Sequence, residues 1–203
     1  RPPFSVQFVP FWNVKDGILE SCAVQLFAKM GVENTTMNDI ALASKKGRRT
    51  LYTYFKSKED IYMAVVESEL DMLSDMMKRV AEKNISPDEK MIEMIYTRLD
   101  AVKEVVFRNG TLRANFFRDI WRVEKVRKRF DAKEILLFKD VLREGVEKGV
   151  FRIDDIDMTA ELVHYCVKGI EVPYIRGHIG AKLDDETRDK YVVNLVFGAL
   201  HRT

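Results

Sequence analysis

Between Lys45 and Lys58 the chain places six cations, Lys45, Lys46, Arg48, Arg49, Lys56 and Lys58, with no acid among them. Thr50, Tyr52, Thr53 and Tyr54 set hydroxyls between the charges. Ammonium and guanidinium groups displace the counterions of phosphates, arginine forks match the O6/N7 edge of guanine, and hydroxyls reach base edges or phosphate oxygens. The chemistry on offer is non-covalent recognition of a polyanion with a readable edge, and a merely solvated basic face is the plainer alternative. The charge is local. Residues 1–60 hold 9 Lys+Arg against 6 Asp+Glu and the remainder holds 25 against 26, so the whole chain stands at only +2. A uniformly basic coat is excluded.

Covalent chemistry has little to work with. There is no glycine-rich phosphate loop, nucleophile elbow or spaced metal-ligand motif, and His164, His178 and His201 lack catalytic spacing. An enzyme ranks last, and neither a cofactor nor a metal is expected. Cys22 and Cys166 lie in apolar helical patterns without metal-knuckle or CxxC spacing, and read as reduced core thiols of a cytosolic protein. No run of roughly 18 apolar residues occurs, so no membrane span is expected. Residues 4–12 are apolar but interrupted by Gln7 and Pro10, and Lys15, Asp16 and Glu20 follow, a poor signal peptide. A cytoplasmic location is the expectation.

These groups need a scaffold, and the composition points to helices. With 46% hydrophobic residues the chain can fill a core, while 5 Pro and 10 Gly in 203 residues are too few to punctuate the short strands of a β-sandwich. Residues 1–13 carry three prolines and no helical period, and read as an irregular arm. From Val14, the residues Ile18, Cys22, Leu26 and Met30, with Ala23 and Phe27 beside them, form the stripe of a helix closed by Gly31. Thr35 or Thr36 caps a short helix over 37–43, and 48–55 reads as a third with Leu51 and Phe55 on one face. Ser57-Lys58-Glu59-Asp60 resembles a capping box opening a long helix that ends near Asn84. Ser86-Pro87-Asp88-Glu89 opens another, which stops at Asn109-Gly110. Further helices are expected over 111–119, over 123–148 closed by Gly149, from Met158 capped by Asp157 until Pro173 kinks or ends it, and from Asp184 or Asp185 to about His201. The total is about nine.

Four segments in this order and spacing carry a resemblance: Ile18-Leu19, Leu26-Phe27-Ala28-Lys29-Met30-Gly31, Thr35-Thr36-Met37-Asn38-Asp39-Ile40-Ala41, and Thr50 through Asp60. Without a gap from Ile18 to Tyr62, about 45 of 203 residues, the chain resembles the TetR family of bacterial transcriptional regulators. The resemblance implies an all-α protein with a helix-turn-helix DNA-binding unit over 14–56, behind the arm 1–13, and a ligand-binding and dimerisation body over 57–203. It implies a recognition helix over 48–54, with Arg48, Arg49, Thr50, Tyr52 and Thr53 facing the major groove and Lys46 among the flanking cations. Thr36, Tyr54 and Lys58 match phosphate-holding positions, and Leu51 and Phe55 match buried ones. The turn departs from the family's common Gly-Val-Ser, having Lys45-Lys46-Gly47. A non-glycine residue in the left-handed conformation often used there costs on the order of 1 kcal/mol. Gly47 is a weaker cap than serine, and Arg49 replaces a frequent glycine.

By the same resemblance the last two helices pair with their copies in a homodimer, for which Leu162, Val163, Val167, Ile170, Val192, Leu195, Val196, Ala199 and Leu200 supply apolar surface. An inducer pocket is expected among the middle helices from Met94, Phe107, Phe116, Phe117, Trp121, Phe138, His164 and Tyr165, although aromatics at helical spacing are also ordinary core. The second basic tract, Arg113, Arg118, Arg122, Lys125, Arg127, Lys128 and Arg129, reads as a solvated helix face. The function expected is a dimeric regulator of a palindromic double-stranded DNA operator, a repressor released by a small-molecule inducer. The alternative is a helical small-molecule binding protein without operator recognition.

Overall fold

The computed structural model describes residues 17–108 and 120–176, together with positions 178, 179, 184, 187, 190, 191, 194, 195 and 198. Seven helices and no strand occur among them: α1 Gly17–Met30, α2 Met37–Ala43, α3 Arg48–Tyr54, α4 Lys58–Ala81, α5 Pro87–Arg108, α6 Ile120–Glu147 and α7 Ile156–Ile175. Of the roughly nine helices expected, seven lie among the described residues. The expected arm, the helix over 111–119 and most of 185–201 lie outside the described residues; Thr187, Lys190, Tyr191, Asn194, Leu195 and Gly198 have helical backbone.

Two hydrophobic clusters organise the chain. Leu19, Ala23 and Phe27 of α1 pack with Met37, Ile40 and Ala41 of α2, Leu51 of α3 and Ile61 and Tyr62 of α4. The α1 stripe is therefore rotated from the expected one: Ile18 is exposed and Leu19 buried, because the face toward α2 and α4 is set by Leu19, Ala23 and Phe27 at i, i+4, i+8. The larger cluster joins Leu73, Met77 and Val80 of α4 to Met91, Met94, Ile95 and Leu99 of α5, Phe130, Phe138 and Leu142 of α6, and Val163 and Val167 of α7. Helix α4 has 24 residues, about 36 Å of rise, and belongs to both clusters. It is the rod between them.

The ends of the helices follow their caps. Ser57 and Asp60 form the expected capping box, and Asp155, two residues before the expected cap, accepts from Met158 N at 2.9 Å and starts α7. Asp157 is exposed and pairs with Lys139 at 2.9 Å instead. Pro173 lies one turn from the end of α7, so the helix runs through it to Ile175. Gly149 takes φ +70° after α6, and the chain turns back so that Phe151 covers Gly145.

Candidate nucleic-acid interface

The recognition unit is assembled by caps and turns. Thr36 Oγ1 accepts from Asp39 N at 3.2 Å, while Asp39 Oδ2 accepts from Thr36 N at 2.8 Å and from the Thr36 hydroxyl at 2.7 Å. These hydrogen bonds hold the Asp39 carboxyl below its ordinary range. At the other end of α2, Lys45 adopts φ +54°. Lys45 N donates to Leu42 O at 3.1 Å and Lys46 N to Ala41 O at 3.0 Å, the pair of bonds of a Schellman ending with lysine where glycine usually stands. The tight turn is kept without its glycine. Gly47, extended at φ −64° and ψ 138°, then caps α3 through its carbonyl alone.

On α3 only Leu51 is buried, and it anchors the helix to the small core. Arg48, Arg49, Thr50, Tyr52, Thr53 and Tyr54 are all exposed. The Arg48 guanidinium lies 5.8 Å from the Tyr52 ring centre and the Lys46 ammonium 5.9 Å from that of Tyr54, so each cation has an aromatic shelf beneath it. The Thr53 hydroxyl donates to the Thr50 carbonyl. Thr36 is exposed at the start of α2. Phe55 is half-buried against the core instead of fully within it. Lys58 departs most from expectation, because its ammonium donates to the Glu33 carbonyl at 2.8 Å and so ties α4 to the turn before α2.

Among the described residues, the expected inducer residues do not line one pocket. Met94 and Phe138 are fully buried in the large core, Tyr165 is 61% exposed on the outer face of α7, and His164 is fully buried in an ionic network. Phe116 and Phe117, with the side chains of Phe107 and Trp121, lie outside the described residues. A cleft of about 320 Å³ opens elsewhere, between α4 and α6, lined by Glu67, Leu70, Asp71, Val126, Arg129 and Phe130. Cys166 is exposed and Cys22 half-buried, which corrects the reading of two core thiols.

Sequence reasoning missed the buried network. Arg98 donates to Glu134 at 2.6 Å and to Glu171 at 3.1 Å, and Arg127 donates to the same Glu171 oxygen at 2.7 Å. Arg127 is therefore not on a solvated face, although Lys128 and Arg129 are exposed. Burial alone would lower its pKa, but Glu171, with Asp131 and Glu124, outweighs it and the value is raised. A signal was present: Glu134 stands at i, i+4 spacing between Phe130 and Phe138, and Arg98 and Glu171 likewise occupy core registers of their helices.

The signature of bacterial regulatory proteins of the tetR family matches residues 19–65. The repressor KstR2 of Mycolicibacterium smegmatis is 28% identical over 155 residues, 73% of each chain. Over residues 19–65 the chain is similar to the TetR family. With these matches it is a DNA-binding transcriptional regulator of helix-turn-helix type. QacR, a transcriptional regulator of Staphylococcus aureus, is 24% identical over 161 residues, covering 78% of this chain and 84% of QacR. In fold, a transcriptional regulator from Cytophaga hutchinsonii superposes with a TM-score of 0.71 at 21% identity, over 91% of this chain and 97% of that one. Among the described residues of this chain, no helix is long and apolar enough to cross a membrane.

Proposed function

We propose that the chain acts in the cytoplasm, without enzymatic activity, as a homodimeric repressor whose two α3 helices read a palindromic operator and which a small-molecule inducer releases. The observation that carries the DNA-reading part is the α3 surface. Its arginines, threonines and tyrosines face outward while Leu51 alone holds the helix down. One such short helix binds weakly, and two held about one DNA turn apart supply the affinity and the symmetry of the site.

Helix α7 supports a dimer. Met158, Leu162 and Tyr165 leave apolar surface exposed along one side of it, as do Tyr191 and Leu195 in the segment that follows. A second copy covering this face removes that surface from water. Val163 and Val167, also expected at the interface, are buried within the chain, so the division between core and interface runs between adjacent residues.

The division of labour follows: residues 14–56 read DNA, and residues 57–203 bind the inducer and pair the subunits. The cleft between α4 and α6 is where we place the inducer, since its volume falls within the range of small-molecule sites. A ligand wedged beside Glu67 and Leu70 pushes on α4, the rod that also carries Ile61 and Tyr62 of the DNA-reading core. A shift of that rod changes the separation of the two α3 helices, and the operator is lost to the extent that the inducer prefers the shifted state.

A gel-shift titration at several salt concentrations tests this. A palindromic site is expected to bind about 10³-fold or more tightly than random DNA, with affinity falling steeply with salt. Arg49→Ala is expected to cost about 1–3 kcal/mol at one base position without unfolding the chain. Weak binding indifferent to sequence would favour the small-molecule binding protein without an operator.

A further inference from the structure

The network between α5, α6 and α7 holds four carboxylates, Glu124, Asp131, Glu134 and Glu171, and, among the described residues, three permanent cations, Arg98, Arg127 and Lys168. A buried carboxylate that lacks a matching positive charge is costly. Among the described residues the shortfall falls beside His164. Its Nδ1 makes a short hydrogen bond to Glu134 Oε2, which directs the other ring nitrogen toward Asp131. That nitrogen, Nε2, is buried without a hydrogen-bond partner, and so is Asp131 Oδ1.

The spacing of these donors is informative. His164 Nε2 stands 3.8 Å from Asp131 Oδ2, too far for a hydrogen bond. Two bonds of about 2.0–2.2 Å meeting at a wide angle at one ion span that gap. The Lys168 ammonium already rests on the same oxygen, 2.7 Å from Asp131 Oδ2 and 2.9 Å from Glu124 Oε1, so the spot favours positive charge. Side-chain exposure rises from 0% at His164 through 13% at Asp131 to 36% at Glu124, which gives an ion a way in from solvent.

We propose that His164 Nε2, Asp131 and Glu124 bind a divalent first-row metal ion of the zinc type, with Glu134 fixing the imidazole through Nδ1–H. A set of one imidazole and two carboxylates suits zinc(II), cobalt(II) or nickel(II) better than the oxygen-only preference of magnesium or calcium. The carboxylate on the far ring nitrogen is the usual outer support of a metal-bound histidine. Lys168 is the resident competitor, and it swings outward when the ion enters. Sequence spacing hides the set, because Glu124 and Asp131 are seven apart on α6 and the histidine comes from α7.

The test uses the full chain, dialysed against a chelator and titrated with zinc(II) or cobalt(II) in the absence of DNA, so that its outcome is independent of operator binding. Uptake of one ion per chain, a visible cobalt absorption band and a rise in melting temperature with zinc are expected. Lys168→Met removes the competing ammonium and is expected to tighten binding by about tenfold, and Asp131→Asn to weaken it by at least about 10–100-fold, the range already seen for outer supports. A purely structural network makes the opposite forecast for Lys168→Met, a less stable chain with no gain in metal affinity. Absence of uptake in both the wild type and Lys168→Met overturns the proposal, as does uptake unchanged in Asp131→Asn. A melting temperature of the chelator-dialysed chain that zinc leaves unchanged also overturns it.

Discussion

Single residues in this protein are held in states that their neighbours enforce, and two of them can be tested directly. Lys45 sits at φ +54° because the Schellman ending of α2 requires a left-handed residue there. Lys45→Gly relieves that strain, worth on the order of 1 kcal/mol. A thermal melt is expected to shift upward by about 2–4 °C for a chain of this size. An unchanged or lower midpoint would mean that lysine is comfortable in the turn. Glu20 is a different case. Both its oxygens are buried without a hydrogen-bond partner among the described residues, and burial raises its carboxyl above the ordinary value of 4.5. The folded chain prefers the protonated acid, so stability is lost as pH rises past 4.5, where the unfolded chain ionises freely. Glu20→Gln is therefore expected to raise the melting temperature at pH 7, with the gain vanishing as pH falls below 4.5. A gain that persists in acid would point to packing instead of charge.

At the scale of elements, much was legible because helix ends carry local chemistry. The box at Ser57-Asp60 and the threonine cap at Thr36 announce α4 and α2, and Gly31 and Gly149 announce the ends of α1 and α6. The basic α3 was legible for the same reason, since its charges and its one anchor lie within seven residues. What was not legible depends on partners distant in sequence. Whether Ile18 or Leu19 faces inward is settled by α2 and α4, and whether Arg127 meets water is settled by Glu171, 44 residues away. Tyr165 and His164 are neighbours with opposite fates, one exposed and one buried, because α7 presents them to different sides. The return of the chain after α6 gives a test at this scale. A methyl group on Gly145 would stand 2.0 Å from Phe151 Cδ2 and 2.3 Å from Cε2, and that ring is buried. Alanine normally gains about 1 kcal/mol over glycine inside a helix. Here displacement of the ring is expected to reverse the sign, so that Gly145→Ala loses about 1–3 kcal/mol in a urea titration. A net gain would show that Phe151 moves aside freely.

The whole molecule joins a reading unit built on the small core to a body built on the large one through α4, which both share. The apolar face of α7 is its outward-looking part. Leu162→Glu places a charge on that face at a position already exposed within the chain, so folding is expected to survive while the dimer separates in sedimentation velocity. Loss of operator binding should accompany it, since one α3 alone cannot span a palindrome. A variant that stays dimeric would remove α7 from the interface. The central claim, that paired α3 helices read a symmetric DNA sequence, is tested most directly by selecting bound fragments from random duplex DNA with the wild-type chain. An inverted repeat whose half-sites are centred about 10 base pairs apart, or a multiple of that, is expected. Recovery of fragments with no shared motif, or of a single asymmetric half-site, would contradict it.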